Sequence, residues 1–237
     1  KGAFSLEGKN YDYGTIMIPI QPQGIAGQEL HSFLYNLAME HGLQIHSINS
    51  AYTVSGPDLG SGRFSFLKLP KILLLTGGRM SSREAGQVWH LFDTRFNIPV
   101  TLGDADRFSG MDLSRYNTII LTGSLAKNDS EKLKSWIQGG GKVIAIKSGS
   151  SYLKSAGIIS YESKKAGDYL EDDSKFKPYA LRSKASLGKR IPGSIFEAHL
   201  DLTHPIGYGY NTDKISIFKN SSSFVAPSSN PYANPLY

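Results

Sequence analysis

"YNTIILTGS", residues 116–124, is an apolar run that stops in Thr122-Gly123-Ser124. Two other stretches share the plan. "KILLLTGG" (71–78) ends in Thr76-Gly77-Gly78, and "KVIAIKSG" (142–149) runs into Lys147-Ser148-Gly149-Ser150. A strand that is apolar at successive positions, not alternate ones, is read as buried on both faces. Between these runs lie helical patterns. "SREAGQVWHLFDTRF" (82–96) sets Val88, Trp89, Leu91, Phe92 and Phe96 as its expected buried face. "NDSEKLKSWIQGGG" (128–141) has Asn128 or Asp129 as its cap and a glycine run as its stop. "IPVTLGD" (98–104) is a shorter strand. Alternating strands and helices predict an α/β fold, with a mostly parallel sheet and helices on both faces. Ligands of such sheets bind beyond the carboxyl ends of the strands. The strand tips therefore form the expected ligand-binding rim: Gly77, Gly78, Arg79, Gly123, Ser124, Lys147, Ser148 and Gly149.

Outward from this core, at 69–160, the pattern changes. Residues 1–68 read as a β-α-β extension. Its parts are a strand "GTIMIPI" (14–20), a helix "GQELHSFLYNLAMEHG" (27–42) and a strand "LQIHSIN" (43–49). Leu30, Phe33, Leu34, Leu37 and Ala38 line one face of that helix, and Gly42 stops it. Residues 161–192 read as a polar, irregular connection, and 193–237 as C-terminal strands and a tail. In the last segment "GSIFEAHL" and "KISIFKN" (214–220) are the expected strands, so both ends of the chain add β elements. The whole, 1–237, reads as one α/β domain. The chain opens on Lys1 and closes on "NPYANPLY", which reads as a piece of a longer protein. The missing leader then carries no information on location.

The 237 residues contain no cysteine, which removes disulfides, thiolate zinc sites and cysteine nucleophiles. The net charge is +6, and residues 163–190 concentrate it, with eight basic residues against four acidic. No recognition-helix pattern, stacking motif or zinc spacing accompanies that charge. It reads as a solvated connection, with no nucleic-acid partner. No apolar run approaches the roughly 18 residues that a membrane span needs.

Strand, sharp turn, helix at 142–155 is how many hydrolases and transferases present a nucleophile. The pattern is small-x-nucleophile-x-small. Ala145 and Gly149 as the small positions put Lys147 in the slot. A lysine there stays protonated unless strongly desolvated. Shifting the frame by one puts Ser148 there, with bulky Ile146 in a small position. A serine hydrolase would use Ser148 or Ser150, with His204 as base and Asp104 or Asp106 behind it. His199, Asp201 and His204 sketch a metal site without a fourth ligand. The turns "LTGGR" (75–79) and "DLGSGR" (58–63) could cradle an anion beside Arg79 or Arg63, but match neither a Walker loop nor a dinucleotide fingerprint. A sugar-binding module would use Tyr152, Tyr208 and Tyr210 as stacking platforms.

"PKILLLTGG", "GQVWHLFDTRFNIPVTLGDADRF", "YNTIILTGS", "LKSWIQGGGKVIAIKSGSSYL" and "THPIGYGY" together resemble the class I glutamine amidotransferase-like fold, a flavodoxin-like α/β architecture. With "GTIMIPI", "GPDLGSGRFSFLKLPKI" and "IPGSIFEAHLDLTHPIGYGY", they resemble the region after the catalytic domain of large, secreted bacterial zinc carboxypeptidase-like proteins. The resemblance implies a Cys-His-Glu triad for active members. Here Lys147 stands in the cysteine slot, and Ile206 follows His204-Pro205 where the glutamate belongs. No His-x-x-Glu zinc motif is present. The resemblance thus implies a non-catalytic accessory domain, periplasmic or secreted, with no metal or cofactor of its own. Zinc would sit in the catalytic domain of the same polypeptide. That domain is the expected partner, with a peptide or glycan as the expected ligand.

Overall fold

The computed structural model describes residues 2–21, 24–165, 178–181, 191, 193–221 and 223–237. Most of the basic connection at 163–190 lies outside the described residues. In chain order the strands and helices are β1 (Phe4–Leu6), β2 (Lys9–Tyr11), α1 (Gly27–His41), β3 (Ile72–Thr76), α2 (Ser82–Leu91), β4 (Val100–Asp104), β5 (Thr118–Leu121), α3 (Ser130–Gln138), β6 (Lys142–Ala145), α4 (Ser148–Ser155), β7 (Ser163–Lys165), β8 (Ser194–His199), β9 (Lys214–Lys219) and β10 (Ser223–Val225). They fall into two compact units, Leu67–Ser163 and Lys1–Phe66 with Lys164–Tyr237.

The first unit is an α/β sandwich. Its sheet runs β4-β3-β5-β6, with every neighbouring pair parallel. Successive strand residues point to opposite faces, and both faces are covered. Leu73, Leu75, Ile119 and Leu121 meet Phe108, Leu113, Leu133, Tyr152 and Leu153. Ile72, Leu74 and Ile120 meet Ala85, with Val88 and Phe92 beside them. Each fully buried aliphatic side chain contributes roughly 1.5–3 kcal/mol. Trp136 Nε1 donates to Leu113 O at 3.1 Å, tying α3 to the loop below it.

The edge strands differ from the expectation of uniform burial. One cross-strand row reads Leu102, Leu74, Ile120, Ile144. The central pair is buried, whereas Leu102 is 53% and Ile144 48% exposed. The sole described helix packed on that face is α2. A helix about 10 Å wide spans two strands spaced about 4.8 Å apart, not four. The stripe of α2 that reaches the sheet is Ala85, Val88, Phe92. Trp89, Leu91 and Phe96, expected to be buried, are exposed because they flank that stripe. Beyond Leu91 the helix widens into a π-helical turn over Phe92–Phe96 and stops at Asn97, φ 48°. At the next helix, Asp129 occupies the cap position of α3, but its side chain makes no cap bond.

The second unit is built from small pieces. β1 and β2 form an antiparallel hairpin over a cluster of Phe4, Leu6 and Leu59. β8 and β9 pair antiparallel from Ser194↔Lys219 to His199↔Lys214. The chain end runs along β8, with His199 and Tyr237 exchanging backbone bonds at 2.6 and 2.9 Å. β7 and β10 make a further two-stranded pair. Helix α1 forms as expected and ends at Gly42, φ 64°. Of its expected apolar face, Leu30 is buried and Phe33 is exposed. The strands expected at 14–20 and 43–49 do not form: among the described residues, 15–19 and 43–48 belong to neither a strand nor a helix. A strand needs a neighbour to bond its backbone. Here Ile16, Ile18 and Ile20 stay exposed, and Pro19 lacks a donor.

Candidate functional site at the strand tips

The turn after β6 settles the reading frame of the elbow. Lys147 has φ 49° and ψ −112°, and the next residue, Ser148, begins α4. A non-glycine residue held there costs of order 1–3 kcal/mol, and such strain persists only when the surroundings enforce it. The strained residue of a nucleophile elbow has this setting, between a strand and a helix. Lys147, not Ser148, is therefore the presented residue. Gly149 explains the small position after it: a Cβ there would lie 2.5 Å from Leu121 O, on the neighbouring strand.

A closed ring of hydrogen bonds surrounds the strained residue. Lys147 Nζ donates to Glu84 Oε1 at 2.7 Å. Glu84 Oε2 accepts from Ser81 Oγ. The backbone oxygen of Ser81 accepts from Thr122 Oγ1 at 3.2 Å, and the backbone oxygen of Thr122 accepts from Ser148 Oγ at 3.1 Å. Ser148 returns the ring to Lys147 through the peptide bond. Glu84 is only 13% exposed, while Lys147 remains half-exposed. The Lys147 hydrogen bond holds the Glu84 carboxyl below the usual glutamate range. The lowered Glu84 is thus a carboxylate, and the Lys147 Nζ is taken up in bonding it.

The structure brings the expected rim residues together. Arg79 and Ser124 form a backbone bridge between the tips of β3 and β5. A Cβ at Gly123 would run into Arg79 O. Gly77 and Gly78 take φ 71° and 52°, a turn that favours glycine. Asp104 and Asp106 lean over this turn: a Cβ at Gly78 would lie 2.6 Å from Asp106 Oδ1. Asp104 caps the turn that follows β4, accepting from Asp106 N at 3.0 Å, and lies 3.8 Å from Arg107 Nε.

The serine-hydrolase groups are engaged otherwise. Ser148 Oγ donates to Thr122 O, and Ser150 Oγ donates to Lys147 O at 2.7 Å. Neither carbonyl can take up a proton as a base must. His204 belongs to the other unit. Its Nδ1 accepts from Ile206 N at 3.2 Å and its Nε2 donates to Tyr232 O at 3.2 Å, which assigns the neutral Nε2–H tautomer. The sketched metal set is likewise dispersed. His199 Nδ1 bonds Asp213 Oδ2 at 2.9 Å, and Asp201 Oδ1 accepts from Thr203 N and Oγ1. Thr203 and His199 hold Asp201 and Asp213, respectively, below the usual aspartate range.

The tyrosines divide too. Tyr152 is a core residue of α4, 9% exposed, and burial raises its phenol above the ordinary value, so it offers no stacking face. Tyr208 and Tyr210 belong to the other unit; the Tyr208 ring lies 6.3 Å from that of Tyr13, and Tyr210 is exposed. The turn "DLGSGR" is closed by Ser61 N to Asp58 O at 3.0 Å. Sequence reasoning missed Ser81 and Glu84. Their signal was available: Ser-x-x-Glu ahead of a helix is a capping pattern, and Ser81 does cap α2.

No family model, curated protein or solved structure matches this chain.

Proposed function

We propose that the chain is a non-catalytic accessory domain, structural or ligand-binding, of a secreted or periplasmic zinc carboxypeptidase-like protein. Its elbow keeps the amidotransferase-like architecture without the chemistry. The observation that carries this reading is Lys147, strained in the presenting position and tied to Glu84 at 2.7 Å. Counted from β3, the sheet order is 2-1-3-4, the flavodoxin-like order through its fourth strand. That order favours the finer fold class. Ile206 after His204-Pro205, in place of an acid, fits the loss of the triad. In this reading the rim from Gly77 to Gly149 takes a peptide or glycan, or faces the catalytic domain of the same polypeptide. Zinc belongs to that domain.

The test has two arms. Glutamine, ester and amide substrates are offered to the purified chain, alongside Ser148→Ala and Ser150→Ala. The expected result is no turnover in any of the three; turnover that vanishes in either variant overturns the proposal. In the second arm, the peptidase activity of the parent protein is compared with and without this segment. A parent without peptidase activity, or one indifferent to the segment, sinks the accessory role.

A further inference from the structure

Helix α3 carries a lysine whose ammonium is enclosed by backbone. Lys132 Nζ donates to Phe108 O at 3.0 Å, Ser109 O at 2.7 Å and Met111 O at 2.6 Å. It also sits 5.5 Å from the centroid of the Phe108 ring. An ammonium has three donors, and all three are used. The carbonyls come from the 3-10 turn Ala105–Gly110 and the residue beyond it. Phe108 O also accepts from Met111 N at 3.1 Å, and this tight turn points the three oxygens at one place. Phe108 is fully buried and anchors that turn in the core.

Three neutral carbonyls and an aromatic face form the donor set of a weakly hydrated monovalent cation. Rings of backbone carbonyls replace the water of potassium in selective pores, and an aromatic face adds cation–π attraction. Calcium and magnesium sites draw on carboxylates, and among the described residues the polar contacts of Nζ are the three carbonyl oxygens. Asp112, which feels the Lys132 charge, is itself bonded by Ser114 Oγ at 2.7 Å.

We propose that the Phe108–Met111 turn is a monovalent-cation site, of potassium or ammonium size, which the chain fills with its own Lys132 Nζ. The tethered cation positions the turn that follows β4 and so the Asp104–Asp106 side of the rim. This site is independent of the accessory-domain reading.

The test is cation rescue. Thermal unfolding of Lys132→Ala is followed in potassium, ammonium and tetramethylammonium chloride at equal ionic strength. In tetramethylammonium the midpoint falls several degrees below that of the wild type. Potassium or ammonium restores at least half the loss, with little effect on the wild type. Lys132→Met, whose side chain fills the cradle without charge, is destabilised but not rescued. Equal midpoints of Lys132→Ala in all three salts, or equal rescue of the Met variant, overturn the proposal. Should Lys132→Ala fail to fold, the wild-type ammonium decides by NMR. Slow hydrogen exchange at Lys132 Nζ, against fast exchange at Lys134, is the expected result, and equal exchange contradicts it.

Discussion

Ile120 and Ile195 are both isoleucines in strands with apolar neighbours, yet Ile120 is 1% exposed and Ile195 73%. Ile120 sits in β5, between two parallel neighbours, with α2 packed over it. Ile195 sits in β8, paired with β9, with no described helix packed over it. Burial in this protein thus follows the layers around a strand, not the strand's own hydrophobicity. A central strand covered on both faces gains the full transfer energy, while a hairpin leaves much of its apolar surface wet.

The largest break in that comparison comes from matched truncations. Leu74→Ala, at a fully buried position, is expected to lower the unfolding free energy by about 2–5 kcal/mol in urea titration. Ile195→Ala is expected to stay within about 0.5 kcal/mol of wild type. Equal losses would mean that the hairpin carries a packed layer of its own.

A smaller effect tests the layer from the helix side. Gly149→Ala forces a Cβ toward Leu121 O and is expected to cost about 1–3 kcal/mol. Gly86→Ala, in the middle of α2, meets nothing within 4 Å and is expected to stabilise by about 0.5–1 kcal/mol. If both substitutions act alike, the close approach of α4 to β5 is not a packing constraint.

The smallest effect concerns charge. Glu84 has a depressed pKa in the folded state, owing to Lys147. It therefore adds stability that is complete above the ordinary glutamate range and is lost as pH falls through the folded value. The unfolding midpoint of the wild type should fall more steeply in acid than that of Glu84→Gln. Parallel curves would remove the ion pair from the account.

The three apolar strands, their tips and the helices after them were legible because burial on both faces writes continuous apolar runs. Gly42 and Gly149 were legible because a helix stop and a small elbow position leave local marks. The edge strands were not, since Ile144 looks like Ile120 until the width of one covering helix is known. Positions 14–20 were misread because apolar composition does not supply a ladder partner. Tyr152 read as a platform because a tyrosine's burial is set by its helix face. The Lys147–Glu84 pair joins residues 63 apart in sequence. Only the sheet brings them together, so no local pattern could state it.

The most direct measurement compares the unfolding free energies of Lys147→Gly and Lys147→Ala. Both lose the pair with Glu84, so they differ only in the Cβ at φ 49°. The glycine variant is expected to be the more stable by about 1–3 kcal/mol, the cost of holding a residue with a Cβ in that backbone. An alanine variant as stable or more so, as at ordinary positions, would contradict the strained elbow.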